Sequence, residues 1–128
     1  MTTLSAYSIP GINNYRDPIS LLKQIVTDFN VTWEFITSDS RKKEVLMFRQ
    51  PIQTILIRNT NMCLREIGEV TAGRNHCTVL YSKKVIEQSE YLYNRTRRKN
   101  KSYLLYEELE TKFLEMSGGR FKYWPDRK

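Results

Sequence analysis

Apolar residues recur every three to four positions along this chain, and this spacing constrains its fold more than any other feature. Ile19, Leu22, Ile25, Val26 and Phe29 fall on one side of a helix, a pattern that predicts an amphipathic helix with one buried face. Helical spacing returns in later segments, and no segment alternates polar and apolar residues for long. We therefore expect an all-α fold in the form of a small helical bundle.

Residues that start and stop helices divide the chain further. Asp17 followed by Pro18 is typical of a helix start, and Gly118-Gly119 is typical of a helix end. Pro51 lies inside a helical pattern and should kink that helix or restart it. The predicted helices cover residues 18–29, 32–36, 45–56, 63–71, 75–93 and 104–116. We divide the chain into a loose lead-in over 1–16, a helical domain over 17–93, and a basic connector, amphipathic helix and tail over 94–128.

The charge of the chain is unbalanced and unevenly distributed. Its 21 Lys and Arg residues exceed its 14 Asp and Glu residues by seven. Residues 41–58 carry +4 and residues 74–101 carry +6, on either side of the nearly neutral stretch 59–73. Such a balance favours a polyanionic partner, either nucleic acid or an acidic membrane surface, although a basic protein without such a partner has the same composition.

Other classes of protein are disfavoured. No apolar run approaches the length of about 18 residues that a membrane-spanning helix requires, and the first ten residues lack the features of a secretory signal. Cys63 and Cys77 make no disulfide framework, so we expect reduced thiols in a cytoplasmic protein. His76 with these two cysteines has a spacing unsuited to zinc, and no third group orients a Cys–His nucleophile pair. We expect no metal, no cofactor and no catalytic residue.

Two predicted helices have the arrangement of a helix-turn-helix. They cover residues 63–71 and 75–93, and the turn between them contains Gly73. In such a motif the first helix braces the second, whose first turn enters the major groove of DNA. The spacing by itself favours plain packing of two helices, and with the basic charge added DNA readout and plain packing are equally consistent with the sequence.

The same segment resembles a known family. Residues 64 to 86 read L-R-E-I-G-E-V-T-A-G-R-N-H-C-T-V-L-Y-S-K-K-V-I. This run is similar, without a gap, to the signature L-P-E-I-G-x-x-F-G-G-R-D-H-T-T-V-x-x-A-x-x-K-I of DnaA, the bacterial chromosomal replication initiator. The signature belongs to the C-terminal DNA-binding domain of DnaA, a helical fold of the Trp-repressor-like type. Upstream, Arg41 to Gln50 resembles the basic loop of that domain and the helix after it, so the resemblance covers about residues 18–90.

The resemblance implies a set of DNA contacts. Asn75, His76, Cys77 and Thr78 occupy the positions that approach the major groove, and Arg41 occupies the position of the arginine in the minor groove. The positions that meet the phosphate backbone are Lys42, Lys43, Arg49, Leu64, Arg65, Arg74, Lys83 and Lys84.

The departures from the family pattern are informative. Asn75 replaces an Asp, which adds a hydrogen-bond donor and suits adenine where Asp suits cytosine. Cys77 replaces a Thr, and Arg65 replaces a Pro and adds a possible phosphate contact. The chain has no Gly-rich phosphate loop with Lys-Ser/Thr, so we expect no nucleotide binding and no enzyme activity.

We hypothesise a sequence-specific double-stranded DNA-binding protein of the bacterial nucleoid, without the ATPase module, that acts in replication initiation or its regulation. A phage or mobile element is a plausible source. The alternative is an adaptor that keeps the fold, binds DNA weakly or without specificity, and docks a replication protein through residues 102–128. Asn75 and Cys77 keep this alternative open.

Overall fold

The computed structural model describes residues 17–38, 42–71, 75–98, 100–119, 121–122 and 124, and these residues form helices without a strand. The all-α prediction is therefore confirmed for the described part of the chain. The expected lead-in over 1–16 lies outside the described residues. The helices are α1 (Pro18–Thr27), α2 (Trp33–Ile36), α3 (Lys43–Asn59), α4 (Leu64–Thr71), α5 (His76–Thr96) and α6 (Lys101–Ser117).

Polar side chains cap the first turns of α1 and α2. The Asp17 carboxylate accepts a hydrogen bond from the Ser20 N–H at 2.7 Å, and the Thr32 hydroxyl accepts one from the Phe35 N–H at 3.1 Å. These bonds satisfy N–H groups of the first turn, which have no partner inside a helix. At the other end of α6, Gly118 adopts a left-handed conformation with a φ of 58°, so the predicted stop is confirmed.

Helix α3 is the centre of the bundle. It contacts α2, α4, α5 and α6, while α1 closes the core by packing against α2 and α6. The residues with no exposed surface in this core are Leu21, Leu22, Ile25, Val26, Ile36, Ile52, Ile55, Leu56, Ile67, Val79, Ile86 and Leu109. Because they come from all six helices, the whole described chain shares one hydrophobic core. Within that chain, no helix is both long enough and apolar enough to cross a membrane.

Pro51 does not restart α3. The helix runs without interruption from Lys43 to Asn59, so the expected restart is wrong. Pro51 has no N–H to donate to the Met47 carbonyl, which removes one backbone hydrogen bond from the helix. The Pro51 ring is buried, and packing of the surrounding turns holds the helix together across the missing bond.

The expected division of the chain at residue 94 stays a prediction, and the structure shows how the residues on either side of it pack. Helix α5 continues past it to Thr96, and α6 packs into the same core through Tyr106, Leu109 and Phe113. Arg58 of α3 donates a hydrogen bond to the Tyr106 hydroxyl at 3.0 Å. That hydroxyl donates in turn to Glu110. Burial, assisted by the bond to Glu110, raises the pKa of Tyr106 above its ordinary value. Helix α6 therefore shares the hydrophobic core of the other helices.

A buried amide joins the two helices of the predicted helix-turn-helix to α3. Gln53 has no exposed surface, and its Nε2 donates to the Thr71 hydroxyl of α4 at 2.7 Å. Its Oε1 accepts a hydrogen bond from the Ser82 hydroxyl of α5 at 2.5 Å. An unsatisfied buried amide is costly, so this pair of bonds favours one arrangement of α4 and α5 on α3.

We expect Gln53→Ala to reduce the free energy of unfolding by about 2–4 kcal/mol, because it leaves a cavity and removes the donor to Thr71. Urea denaturation followed by circular dichroism measures this difference. Gln24→Ala, on the exposed side of α1, is the matched control and should change stability by less than about 0.5 kcal/mol. Equal stability of the two variants would contradict the structural role of Gln53.

Candidate nucleic-acid interface

The first turn of α5 is exposed at a fixed position. Val79, Ser82 and Ile86 face the core, and both α3 and α4 pack against α5. Asn75, His76 and Cys77 precede or begin the helix and are exposed. The two helices thus occur in the predicted order, and the predicted recognition turn is open to a partner. Residues 72–74, which connect the two helices, lie outside the described residues.

Asn75 caps α5 with one half of its amide. Its Oδ1 accepts a hydrogen bond from the Thr78 N–H at 3.0 Å and another from the Thr78 hydroxyl at 3.3 Å. A carbonyl oxygen has two lone pairs, and both are now occupied. No described residue accepts a hydrogen bond from the Asn75 Nδ2 group, so its two donors are available to a ligand. The recognition turn therefore presents a donor at this position.

His76 and Cys77 lie side by side at the surface. The His76 Nε2 and the Cys77 Sγ are 3.6 Å apart. In the described part of the chain, no three His, Cys, Asp or Glu side chains are grouped in a way that suits a metal ion. The arrangement suits contacts with a partner through the imidazole and the thiol.

A groove runs beside the recognition turn, between α3 and α5. Its walls include Leu46 and Gln50 from α3 and Asn75, Thr78 and Tyr81 from α5. The side chain of Tyr81 is among the most exposed apolar groups, at 62%. Gln50 and Tyr81 are not among the site residues that the sequence predicts. Helical spacing is the sequence signal that could have identified them, because Gln50 lies one helical turn after Leu46 and Tyr81 lies one turn after Cys77.

Most of the predicted phosphate-contacting cations lie at the surface. Lys42, Lys43, Arg65 and Lys84 are exposed. Lys83 is half-buried, and its Nζ lies 3.7 Å from a Glu87 carboxylate oxygen. Arg41 and Arg74 lie outside the described residues. Leu64 packs its side chain against the core, so it can meet a phosphate only through its backbone N–H at the start of α4.

Arg49 does not fit its expected role as a phosphate contact. Only 2% of its surface is exposed, because the side chain turns inward against the end of α2. Its Nε donates to the Ile36 carbonyl at 2.9 Å, and its Nη2 donates to the Ser38 carbonyl at 2.6 Å. Arg49 therefore anchors the segment that leads to residue 41 rather than facing solvent.

A protein-family model matches this chain. The model described as "Bacterial dnaA protein helix-turn-helix" matches residues 19–86, more than half of the chain. This range includes all of α3 and α4 and the first half of α5, with its first turn.

Several curated relatives match over the same part of the chain. The chromosomal replication initiator protein DnaA of Thermus thermophilus is 37% identical over 75 residues, which are 58% of this chain and 17% of that protein. The DnaA protein of Gloeobacter violaceus is 34% identical over 71 residues, 56% of this chain and 16% of that protein. The chain thus spans about one sixth of the length of these relatives. No solved structure matches significantly.

Replacement of Arg49 distinguishes an anchor from a surface contact. We expect Arg49→Met to reduce the free energy of unfolding by about 1–3 kcal/mol, since the Ile36 and Ser38 carbonyls lose their donors. Chemical denaturation measures the change, with Arg65→Met as the control because Arg65 is an exposed cation of the same type. If both variants unfold like the unmodified protein, Arg49 is no anchor.

Proposed function

From the premise that this chain belongs to the bacterial DnaA helix-turn-helix family, we propose that it binds double-stranded DNA in a sequence-specific manner, in replication initiation or its regulation. One observation carries the proposal: the family match coincides with an α5 first turn that is exposed, on a helix that packs against α4, in a domain whose helices α3, α4 and α5 each carry an exposed cation. The matched module is a helix-turn-helix. We propose that it binds DNA in the bacterial cytoplasm.

The residues of the first turn are the proposed readers of base edges. Asn75, His76, Cys77 and Thr78 enter the major groove at the N-terminal end of α5, as the second helix of such motifs does. Arg41, which precedes α3 in the sequence and lies outside the described residues, is the proposed contact in the adjacent minor groove. The cations that contact phosphates are Lys42, Lys43, Arg65, Arg74, Lys83 and Lys84, with the Leu64 N–H at the start of α4. These contacts position the protein on the duplex and carry no sequence information themselves.

The cap geometry refines what Asn75 recognises. Bidentate pairing with adenine needs a free acceptor as well as a donor, and both lone pairs of the Asn75 Oδ1 are engaged by Thr78. The free Nδ2 group instead suits a base that presents acceptors in the major groove, such as guanine through N7 and O6. The site bound by this protein therefore differs from the family's usual site at the base that Asn75 reads.

Titration of duplexes tests the proposal directly. A duplex containing a sequence recovered by selection should bind more tightly than a scrambled duplex, at each of two salt concentrations. His76→Ala should cost about 1–3 kcal/mol on the selected site only, whereas Lys84→Ala should weaken both duplexes alike. Lys112→Ala, on α6, is the control for loss of one positive charge. If Lys84→Ala alters sequence preference, its assignment to a phosphate is wrong.

Selection from a random pool tests the role of Asn75. We expect Asn75→Asp to keep the helix cap, to regain a free acceptor, and to shift one position of the recovered site toward cytosine, whose N4 is a donor. All other positions should remain the same, because the change is confined to one side chain. Identical sites for the two proteins would show that Asn75 does not read a base.

The adaptor remains the second candidate, because α6 exposes acidic residues and an apolar one. Glu107, Glu108 and Glu115 are exposed on this helix, and Leu114 is 43% exposed. The same titration separates the two functions. Equal affinity for selected and scrambled duplexes, or no binding to either, would favour the adaptor and overturn specific recognition.

A further inference from the structure

Helix α6 brings a basic segment next to the beginning of α3. Residues 95–101 follow the last residue matched by the family, and they include Arg97, Arg98 and Lys101. Arg97 ends α5 in a left-handed conformation with a φ of 58°, and Asn100 then caps α6 by accepting a hydrogen bond from the Tyr103 N–H at 3.2 Å. Arg97 and Arg98 thus lie at the end of α5, and Lys101 lies at the start of α6.

A second groove lies between the start of α6 and the first turns of α3. Residues Asn100, Lys101 and Ser102 of the α6 start form one wall, and Lys43, Glu44 and Met47 are part of the other. Leu46 and Gln50 of α3 line this groove and also the groove beside Asn75. The first two turns of α3 therefore lie between the recognition turn on one side and the start of α6 on the other.

The cations at the end of α5 and the start of α6, of which Lys101 lines the second groove, differ from others in the molecule. Arg58 and Lys83 form ion pairs, while the ammonium groups of Lys23 and Lys112 lie over the rings of Trp33 and Phe29. The side chains of Arg97, Arg98 and Lys101 are exposed and make no hydrogen bond, ion pair or ring contact with a described residue. Glu44 contributes one negative charge to the groove, against Lys43 and Lys101. The lining of the groove therefore carries a net positive charge, and Lys101 makes no ion pair with a described residue.

We propose that Arg97, Arg98 and Lys101 form a second phosphate-contacting surface, which extends the bound duplex beyond the part covered by α5 and α3. The inference rests on the proposed function, because the duplex must first lie across the recognition turn and the start of α3. A duplex in that position continues past α3 over the start of α6. Cations without intramolecular partners then meet its backbone, which carries one negative charge for about every 1.7 Å of helix axis.

Salt dependence measures the number of such contacts. Each neutralised phosphate contributes about 0.9 to the slope of log affinity against log salt concentration. On a long duplex centred on the selected site, the double variant Arg98→Gln/Lys101→Gln should lower the magnitude of this slope by about one to two, with unchanged sequence preference. The matched control is Lys23→Gln/Lys112→Gln, which removes the same charge from sites whose cations lie over aromatic rings and should leave the slope unchanged.

Hydroxyl-radical footprinting locates the contacts. The unmodified protein should protect a stretch of backbone on one flank of the site that the Arg98→Gln/Lys101→Gln variant leaves open, while both protect the centre. Equal slopes and equal footprints for the double variant and the unmodified protein would overturn the second surface but leave the proposed function intact. An unmodified protein that does not distinguish the selected from the scrambled duplex would overturn the proposed function, and this inference with it.

Discussion

The arrangement of the candidate interface depends on one buried amide. Gln53 lies on α3 with no exposed surface, and it is bonded to Thr71 of α4 and to Ser82 of α5. Apolar packing stabilises many relative rotations of neighbouring helices, whereas a buried amide is satisfied only where its two partners lie at hydrogen-bond distance. Gln53 therefore selects the orientation in which α4 braces α5 and the first turn of α5 remains exposed.

A second polar contact on the same helix has a comparable effect at the other end of the site. Arg49 precedes Gln53 by one helical turn and bonds to two carbonyls at the end of α2. Burial of an arginine is unfavourable unless its donors are satisfied, so these bonds hold the end of α2 against α3. Through Arg49 and Gln53, α3 holds both the end of α2 and the pair of helices α4 and α5.

Charge has different roles in different parts of this surface. Some cations are engaged within the molecule, as Arg58 is with Tyr106 and Glu90. Others, including Lys84 and Lys101, are exposed and are not engaged with described residues. A net charge of +7 does not separate these two groups, although only the second is available to a polyanion. The three-dimensional arrangement therefore decides which cations are accessible to a polyanion, and the amino-acid composition does not.

The sequence by itself determined the features that depend on neighbouring residues along the chain. Helical spacing predicted the six helices, and Asp17 and Asn75 predicted two of their starts, because periodicity and capping act within a few residues. Only the tertiary structure decided that Arg49 is buried, because it bonds to carbonyls 11 and 13 positions earlier in the chain. It also decided the proximity of Lys101 to Lys43 and the extension of the core through α6. These features depend on packing between distant segments, and spacing along a chain carries no information about which segments meet.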